Sequence, residues 1–418
     1  HDRLKIRRGK QARMQKDMAK GVKVPCSPNW KSSSDNVREV LHNERIVQLS
    51  EGYKQTIGAL HNSSSARFTT LSSAKNLLQS SVASSEHFEI IAGNSNQELA
   101  SKVAEQLGVP LSPATCDRFN DGECNIKLGE SVRNTHVFVV QSTCPGRTSD
   151  RTINDHLMEL FLLVRCMRRA SARKVTAVIP YYGYARQDEK RQPRVPIAAS
   201  DVAMMLEAAG VDRVLAVDLH SAQIQGQFQH CPVDNLSMFE DFSEYFVENV
   251  LAKFEDKEEI AVVSPDADGT ARAKFFVGLL QDKGVENVSL AITIRQVTEN
   301  NISVNLIGDI LGKHCVIVDD IIDTGGRVCT ASETLLELGA KSVGVFAVHG
   351  VFSGKALLKI EASDIEYVIV SDSIPIEERA GKKTKKLRQV SCAALISEAI
   401  ASTLTGSTVE HLYGFGRE

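Results

Sequence analysis

An α/β protein with parallel, doubly wound sheets is the fold class the sequence predicts, on three observations. Short apolar, β-branched runs recur along the chain from His87 onward. Stretches with helical apolar spacing mostly stand between them, and such alternation joins parallel strands through helical crossovers. The chain has 418 residues, enough for two such sheets. The boundary is expected near Asp234 to Asn249. This gives an N-terminal extension over residues 1–86, an α/β domain over 87–240 and a second over 241–418.

The extension stands apart by composition. Residues 1–23 hold nine Lys or Arg and two Asp, and residues 62–85 hold nine Ser and no acidic residue. Only Val37 to Leu60, between them, has weak helical periodicity. A basic, Ser-rich, acid-poor segment suits an organellar transit peptide, and it equally suits a tail that cannot bury enough apolar surface to fold.

Order begins with the strand at His87 to Ala92, followed by a helix over Asn96 to Leu107, where Leu99, Val103 and Leu107 share a face. Val137–Gln141 is a strand, and Asn154 to Ala170 a long helix with Leu157, Leu160, Phe161 and Val164 inward. Further strands are expected at 175–179, 213–217, 260–263, 288–292, 316–318, 342–348 and 367–370, each a β-branched run bounded by turn residues.

Composition narrows the class. The chain is 42% hydrophobic and 24% charged, with a net charge of -3, so nothing global calls for nucleic acid or a membrane surface. No apolar run approaches the roughly 20 residues of a membrane helix. Nine Cys without a C-x-x-C pair read as reduced, core-like thiols. A cytoplasmic location is expected, with an organelle reached through the extension as the alternative.

Ligands of such sheets gather beyond the carboxyl ends of strands. Val316-Ile-Val318 ends in two carboxylates, Asp319 and Asp320, then in the turn Asp323-Thr324-Gly325-Gly326, before a helical run from Arg327 to Gly339. Small residues let backbone N–H groups close on an anion, with the positive end of the next helix behind them. Carboxylates would repel a phosphate, so they are expected to hold ribose hydroxyls or a Mg²⁺ that shares the phosphate. The loop reads as a sugar-phosphate cradle; the plain alternative is an acidic strand end running into a glycine turn.

Four more segments carry polar chemistry. Phe119-Asn-Asp-Gly-Glu123 sets Asp121 and Glu123 in a glycine turn. Tyr181-Tyr-Gly-Tyr-Ala-Arg-Gln-Asp188 brings three Tyr near Arg186 and Gln187, a mixture suited to a purine and its phosphates, since aromatics stack and Arg forks onto phosphate oxygens. Asp218-Leu-His220 offers a His that could ligate a metal or cap the sheet. Ser264-Pro-Asp-Ala-Asp-Gly269 offers Asp266 to a sugar or a metal.

Val318 to Gly326 resembles the phosphoribosyl-pyrophosphate (PRPP) loop of type I phosphoribosyltransferases and PRPP synthetases. The Phe-x-Asp-Gly-Glu loop, the Tyr-Ala-Arg-Gln-Asp segment, the Asp-Leu-His-x-x-Gln-Ile-Gln-Gly segment from Asp218 to Gly226 and the Ser-Pro-Asp-Ala segment resemble, in order and spacing, the signatures of the ribose-phosphate pyrophosphokinase (PRPP synthetase) family. The likeness runs from Glu89 to Leu412, whereas phosphoribosyltransferases share the Val318 loop alone.

The resemblance implies two domains of the type I phosphoribosyltransferase-like fold with the active site between them. It implies transfer of the β,γ-diphosphate of ATP to the C1 hydroxyl of ribose 5-phosphate, giving PRPP and AMP with Mg²⁺. Phe119, Asp121, Glu123, Arg186 and Gln187 would meet ATP, and His220 and Asp266 the Mg²⁺. Asp319, Asp320, Asp323, Thr324, Gly325 and Gly326 would hold the ribose phosphate. Arg295, on a mobile loop after the Val288 strand, would be the catalytic cation, and Ser131, Arg133, Lys190 and Arg194 would form an allosteric phosphate site. A homo-oligomer, as a hexamer assembled from dimers, or a hetero-oligomer with paralogues is implied, with no nucleic acid or membrane partner.

The chain also departs from that pattern. Thr293 stands where the family's loop has a Lys, Arg327 where a small hydroxyl residue closes the PRPP loop, and Ala271 where a Lys precedes Arg272. Gln192 and Glu410 alter the allosteric set. A working enzyme and a catalytically weakened regulatory subunit are therefore both expected readings.

Overall fold

The computed structural model describes Gln79 and residues 87–146, 151–254, 259–298, 301–376 and 384–414. Apart from Gln79, the extension and its expected transit or tail character lie outside the described residues.

The first sheet has the order β1 (Phe88–Ala92), β4 (His136–Val140), β5 (Lys174–Ile179), β6 (Arg213–Val217) and β7 (Val233–Leu236), all parallel. The β4 strand is buried at every position, which explains why it reads as a continuous apolar run rather than an alternating one. Helix α1 (Gln97–Leu107) starts where the Asn96 side chain accepts from the Leu99 N–H and stops at Gly108, whose φ of 73° suits glycine. Helix α2 (Ile153–Arg169) opens with a reciprocal capping box between Thr152 and Asp155. Between β1 and β4 an antiparallel hairpin, β2 (Ala114–Arg118) with β3 (Cys124–Leu128), carries the expected Phe119–Glu123 turn at its tip. Helix α3 (Ala198–Ala209) connects β5 to β6, and α4 (Phe239–Asn249) follows β7.

The second sheet runs β10 (Asn301–Ile307), β9 (Val288–Thr298), β8 (Ile260–Ser264), β11 (His314–Ile322), β12 (Ser342–Gly350), β13 (Tyr367–Ser371) and β14 (Leu387–Val390). Helices α5 (Thr270–Asp282), α6 (Gly326–Glu337), α7 (Ala356–Ala362) and α8 (Ala393–Thr405) lie between or after them. Every pairing is parallel except β9 with β10, which form an antiparallel hairpin with Thr293 opposite Leu306 and Arg295 opposite Val304. The mobile loop expected after the Val288 strand is therefore a strand extension. Its physical cause is legible in the alternation of Ile292, Ile294, Val297, Ile302, Val304 and Leu306 with polar neighbours.

The expected 240/241 division cuts within α4, which lies between the two sheets in chain order, and one apolar cluster spans it. Ile90 and Phe138 of the first sheet share that cluster with Val316 and Phe346 of the second, and with Phe242, Phe246 and Phe276 of α4 and α5. The Phe242 and Phe346 rings meet edge to face at 5.4 Å. Fully burying each such side chain contributes about 1.5–3 kcal/mol. The end of the chain also returns to the first half: Ser397 Oγ in α8 lies 3.3 Å from the Val103 carbonyl oxygen, and Tyr413 OH donates to Asp234 Oδ1 at 2.5 Å.

Candidate active site

The β11 strand is buried from His314 to Asp320, so its two carboxylates leave the sheet with little access to water. Unpaired, they would be costly there. Instead, basic side chains gather around them. His220 Nδ1 lies 2.6 Å from Asp320 Oδ2. Arg272 Nη1 lies 3.6 Å from Asp320 Oδ1 and 3.7 Å from Asp319 Oδ1. Arg327 Nη1 lies 2.7 Å from Asp266 Oδ2 and 3.6 Å from Asp319 Oδ2. Arg186 Nη1 donates to Asp323 Oδ2 at 2.7 Å.

These partners split the adjacent pair. Burial, reinforced by the neighbouring negative charge of Asp320, pushes the Asp319 carboxyl well above the ordinary range. Burial also acts on Asp320, but the His220 hydrogen bond and the Arg272 guanidinium outweigh it and hold that carboxyl low. Asp323 is held low in the same way: hydrogen bonding from Ser353 and the Arg186 contact outweigh burial.

Beyond Asp323 the backbone turns at Gly325, whose φ of 73° lies in the region an L side chain resists. This turn opens α6, whose first bond runs from the Cys329 N–H to the Gly325 carbonyl at 3.1 Å. The N–H groups of the first turn and the positive end of the helix dipole thus face the mouth of the loop, as an anion cradle requires. The Thr324–Gly326 turn sits where the sequence places it.

The Tyr181–Asp188 segment differs from expectation. Tyr181 and Tyr182 are buried, with Tyr182 OH donating to the Ala199 carbonyl at 3.1 Å, so they are core residues rather than a stacking platform. Their apolar rings complete the packing beside β5, Tyr181 against the His349 ring and Tyr182 against Phe228. Tyr184 is half-buried and donates to Asn154. Arg186 and Gln187 are exposed at the end of the segment, and Arg186 alone reaches the loop of the second sheet.

Other expected residues lie elsewhere. Phe119 is 53% exposed, and the tip is closed by its own bonds, Phe119 N–H to the Glu123 carbonyl at 2.9 Å and Glu123 N–H to Asp121 Oδ1 at 3.1 Å. Among the described residues no hydrogen bond or ion pair joins this tip to the PRPP-type loop. Ser131 and Arg133 are exposed after β3, Lys190 and Arg194 are exposed after the Arg186 segment, and Glu410 is exposed near the end of the chain. No contact among the described residues unites them. The backbone of Arg295 lies in β9, and its side chain falls outside the described residues. Thr293 is buried, with its hydroxyl donating to the Ser264 carbonyl at 3.2 Å.

His220 and Asp266 do not meet: each pairs with a different partner in the loop. Among the described residues no group of three or more His, Cys, Asp or Glu is placed to hold a metal by itself. Mg²⁺ does not need such a cage, since it keeps waters and takes one or two carboxylates plus substrate phosphates. The donor set fits it: Asp319 Oδ2 is buried without a hydrogen-bond partner, and Asp266 is partly open. Sequence reasoning did not single out Arg272; the signal available was a cation in the first turn of a helix after an acidic strand end.

A two-sheet α/β protein with one acidic, base-matched loop at the carboxyl ends of its strands is thus defined, and the comparisons give its family. Residues 88–210 match the family model of the N-terminal domain of ribose phosphate pyrophosphokinase, and residues 278–414 match the phosphoribosyl synthetase-associated domain. A ribose-phosphate pyrophosphokinase of Ralstonia nicotianae is 43% identical over 333 residues, covering 79% of this chain and 99% of that protein. One from Vibrio cholerae is 44% identical over 315 residues, 75% of this chain and 94% of its own. A crystal structure of phosphoribosylpyrophosphate synthetase from Mycobacterium smegmatis is similar at a TM-score of 0.69 and 35% identity, over 77% of this chain and 100% of that one. The chain belongs to the ribose-phosphate pyrophosphokinase family.

Proposed function

We propose that the chain joins ATP to ribose 5-phosphate, passing the β,γ-diphosphoryl group to the C1 hydroxyl to give PRPP and AMP. The observation that carries this reading is the meeting of Asp319, Asp320 and Asp323 with Arg186, His220 and Arg272, drawn from both sheets. Diphosphoryl transfer asks a protein mainly for positioning and for charge that matches the phosphates, and this loop supplies both.

In this reading Asp319 and Asp320 accept from the ribose hydroxyls, while Thr324 and the N–H groups beyond Gly325 take the 5-phosphate. ATP phosphate displaces Asp323 from Arg186, an exchange of one charge-assisted bond for another. Phe119, Asp121, Glu123 and Gln187 face the nucleotide. Asp266 and His220 would hold Mg²⁺ together with substrate phosphates, and that ion would neutralise charge on the transferring group. Arg295 provides the strand-side cation, which position 293 does not, because Thr293 spends its hydroxyl on the Ser264 carbonyl. Arg327, which already contacts Asp266 and Asp319, provides a second cation from the helix side.

The uncharged, buried Thr293 supports a second reading, a weakened regulatory subunit of a hetero-oligomer. Ser131, Arg133, Lys190 and Arg194 remain the proposed allosteric anion set, with Glu410 weakening it by repulsion. A cytoplasmic homo-oligomer with domains at 87–240 and 241–418 is the accompanying proposal. The test is AMP release by the purified chain given ATP, ribose 5-phosphate and Mg²⁺. AMP that requires ribose 5-phosphate supports the enzyme. AMP only on addition of a co-purifying paralogue supports the subunit reading, and no AMP in either case refutes both.

A further inference from the structure

We propose that His349 is a positioning residue for the proposed diphosphoryl transfer, holding the segments that carry His220 and Arg186, together with the Ser373 loop, against the end of β12. The inference rests on the functional reading above. His349 is the penultimate residue of β12, beside Ile321 of β11, and is buried with 2% exposure.

One imidazole touches three places. Its Nε2 lies 3.1 Å from the Asp218 carbonyl oxygen, and its Nδ1 lies 2.8 Å from Ser373 Oγ. A carbonyl only accepts, so Nε2 carries the proton, and Nδ1 accepts from the Ser373 hydroxyl. The ring also meets Tyr181 edge to face at 5.1 Å.

Two of these contacts lead to the site, and the third ties the ring to the first half of the chain. Asp218 is a non-glycine residue with φ of 38°, so its carbonyl points where an L residue does not readily send it. The His349 N–H is an anchor from the second sheet for that carbonyl, and His220, two residues on, reaches Asp320. Tyr181 begins the segment that ends with Arg186 on Asp323. Ser373 belongs to a loop fastened to the first half of the chain: Ser142 Oγ donates to the Ser373 carbonyl at 2.6 Å, and Asn96 Nδ2 to the Asp372 carbonyl at 2.7 Å. His349 therefore sets the position of His220 and Arg186 against β11 without touching substrate itself.

Two substitutions separate positioning from bulk. His349→Phe keeps the ring against Tyr181 and removes both hydrogen bonds, whereas His349→Gln retains a donor for Asp218 and an acceptor for Ser373. His349→Phe is expected to lower kcat roughly 10- to 100-fold, as small misplacements of reacting groups do, with KM for ribose 5-phosphate within about threefold. His349→Gln is expected to recover most of that loss. Long-range nitrogen NMR of the wild-type chain should show His349 as the neutral Nε2–H tautomer, and His220 resonances should move in His349→Phe.

Wild-type kcat in His349→Phe, equal losses in the Phe and Gln variants, or an Nδ1–H tautomer would each overturn the proposal. Should His349→Phe fail to fold, the tautomer and the Gln variant decide, a tenfold slower Gln variant counting against it. The NMR readouts need no turnover, so a wild-type chain that releases no AMP refutes the functional reading while leaving them to judge His349.

Discussion

The two arms on either side of the Asp266 turn handle charge in opposite ways. On the β11 side every loop carboxylate faces a base: Asp320 faces His220, Asp323 faces Arg186, and Asp319 faces Arg272 and Arg327. On the β9 side Thr293 is buried and neutral, bonded to the Ser264 carbonyl. The contrast teaches that, among the described side chains, the cations that face this site are Arg186, His220, Arg272 and Arg327, and that position 293 adds none.

Removing Arg295, the proposed cation of β9, should have the largest effect. Arg295→Ala is expected to cut kcat roughly 100- to 1,000-fold, the scale of losing one preorganised group on developing charge; turnover within twofold of wild type would remove β9 from the mechanism. Next comes Arg186→Ala, which should weaken ATP binding roughly 10- to 100-fold by calorimetry through loss of a charge-assisted contact. Unchanged nucleotide affinity would leave Arg186 with only its bond to Asp323. Arg327→Ser should slow turnover about tenfold, and adding Thr293→Lys in that background should restore it, because the cation then returns to the strand side. A faster Arg327→Ser protein would mean that the guanidinium obstructs the site.

The smallest effect is one of pH. Burial lowers the His349 pKa from 6.5 to about 4, so the folded protein keeps this ring neutral while the unfolded chain protonates it. Stability from this group is full above pH 6.5 and is lost as pH falls towards 4, by up to about 3 kcal/mol. Denaturant melts at pH 7 and pH 4.5 should show a smaller acid loss in His349→Gln than in wild type. An identical loss would place the acid sensitivity in other groups.

Much of this architecture is legible in the amino-acid sequence. The buried strands announced themselves because runs such as Val175–Ile179 and Val316–Val318 are covered on both faces and need no polar positions. The strands that sequence reasoning passed over have weaker patterns: β7 and β14 are four-residue edge strands, and β2, β3 and β10 belong to hairpins with polar positions. At the site, Asp319 to Gly326 was legible because glycine and paired carboxylates are scarce at a strand end. Arg272 and His349 were not, since each acts through a partner far away in sequence, as in the His349 contact with Asp218. Tyr181 and Tyr182 misled because aromatic content alone does not tell a stacking surface from core.

The central claim is that a diphosphoryl group, rather than a single phosphoryl group, moves from ATP to C1 of the ribose. Phosphorus NMR of the purified chain with ATP, Mg²⁺ and ribose 5-phosphate tests it directly. The account predicts AMP and a sugar bearing a C1 diphosphate beside its 5-phosphate, in equal amounts. ADP with a singly phosphorylated C1, or ATP hydrolysis that leaves ribose 5-phosphate untouched, would contradict it.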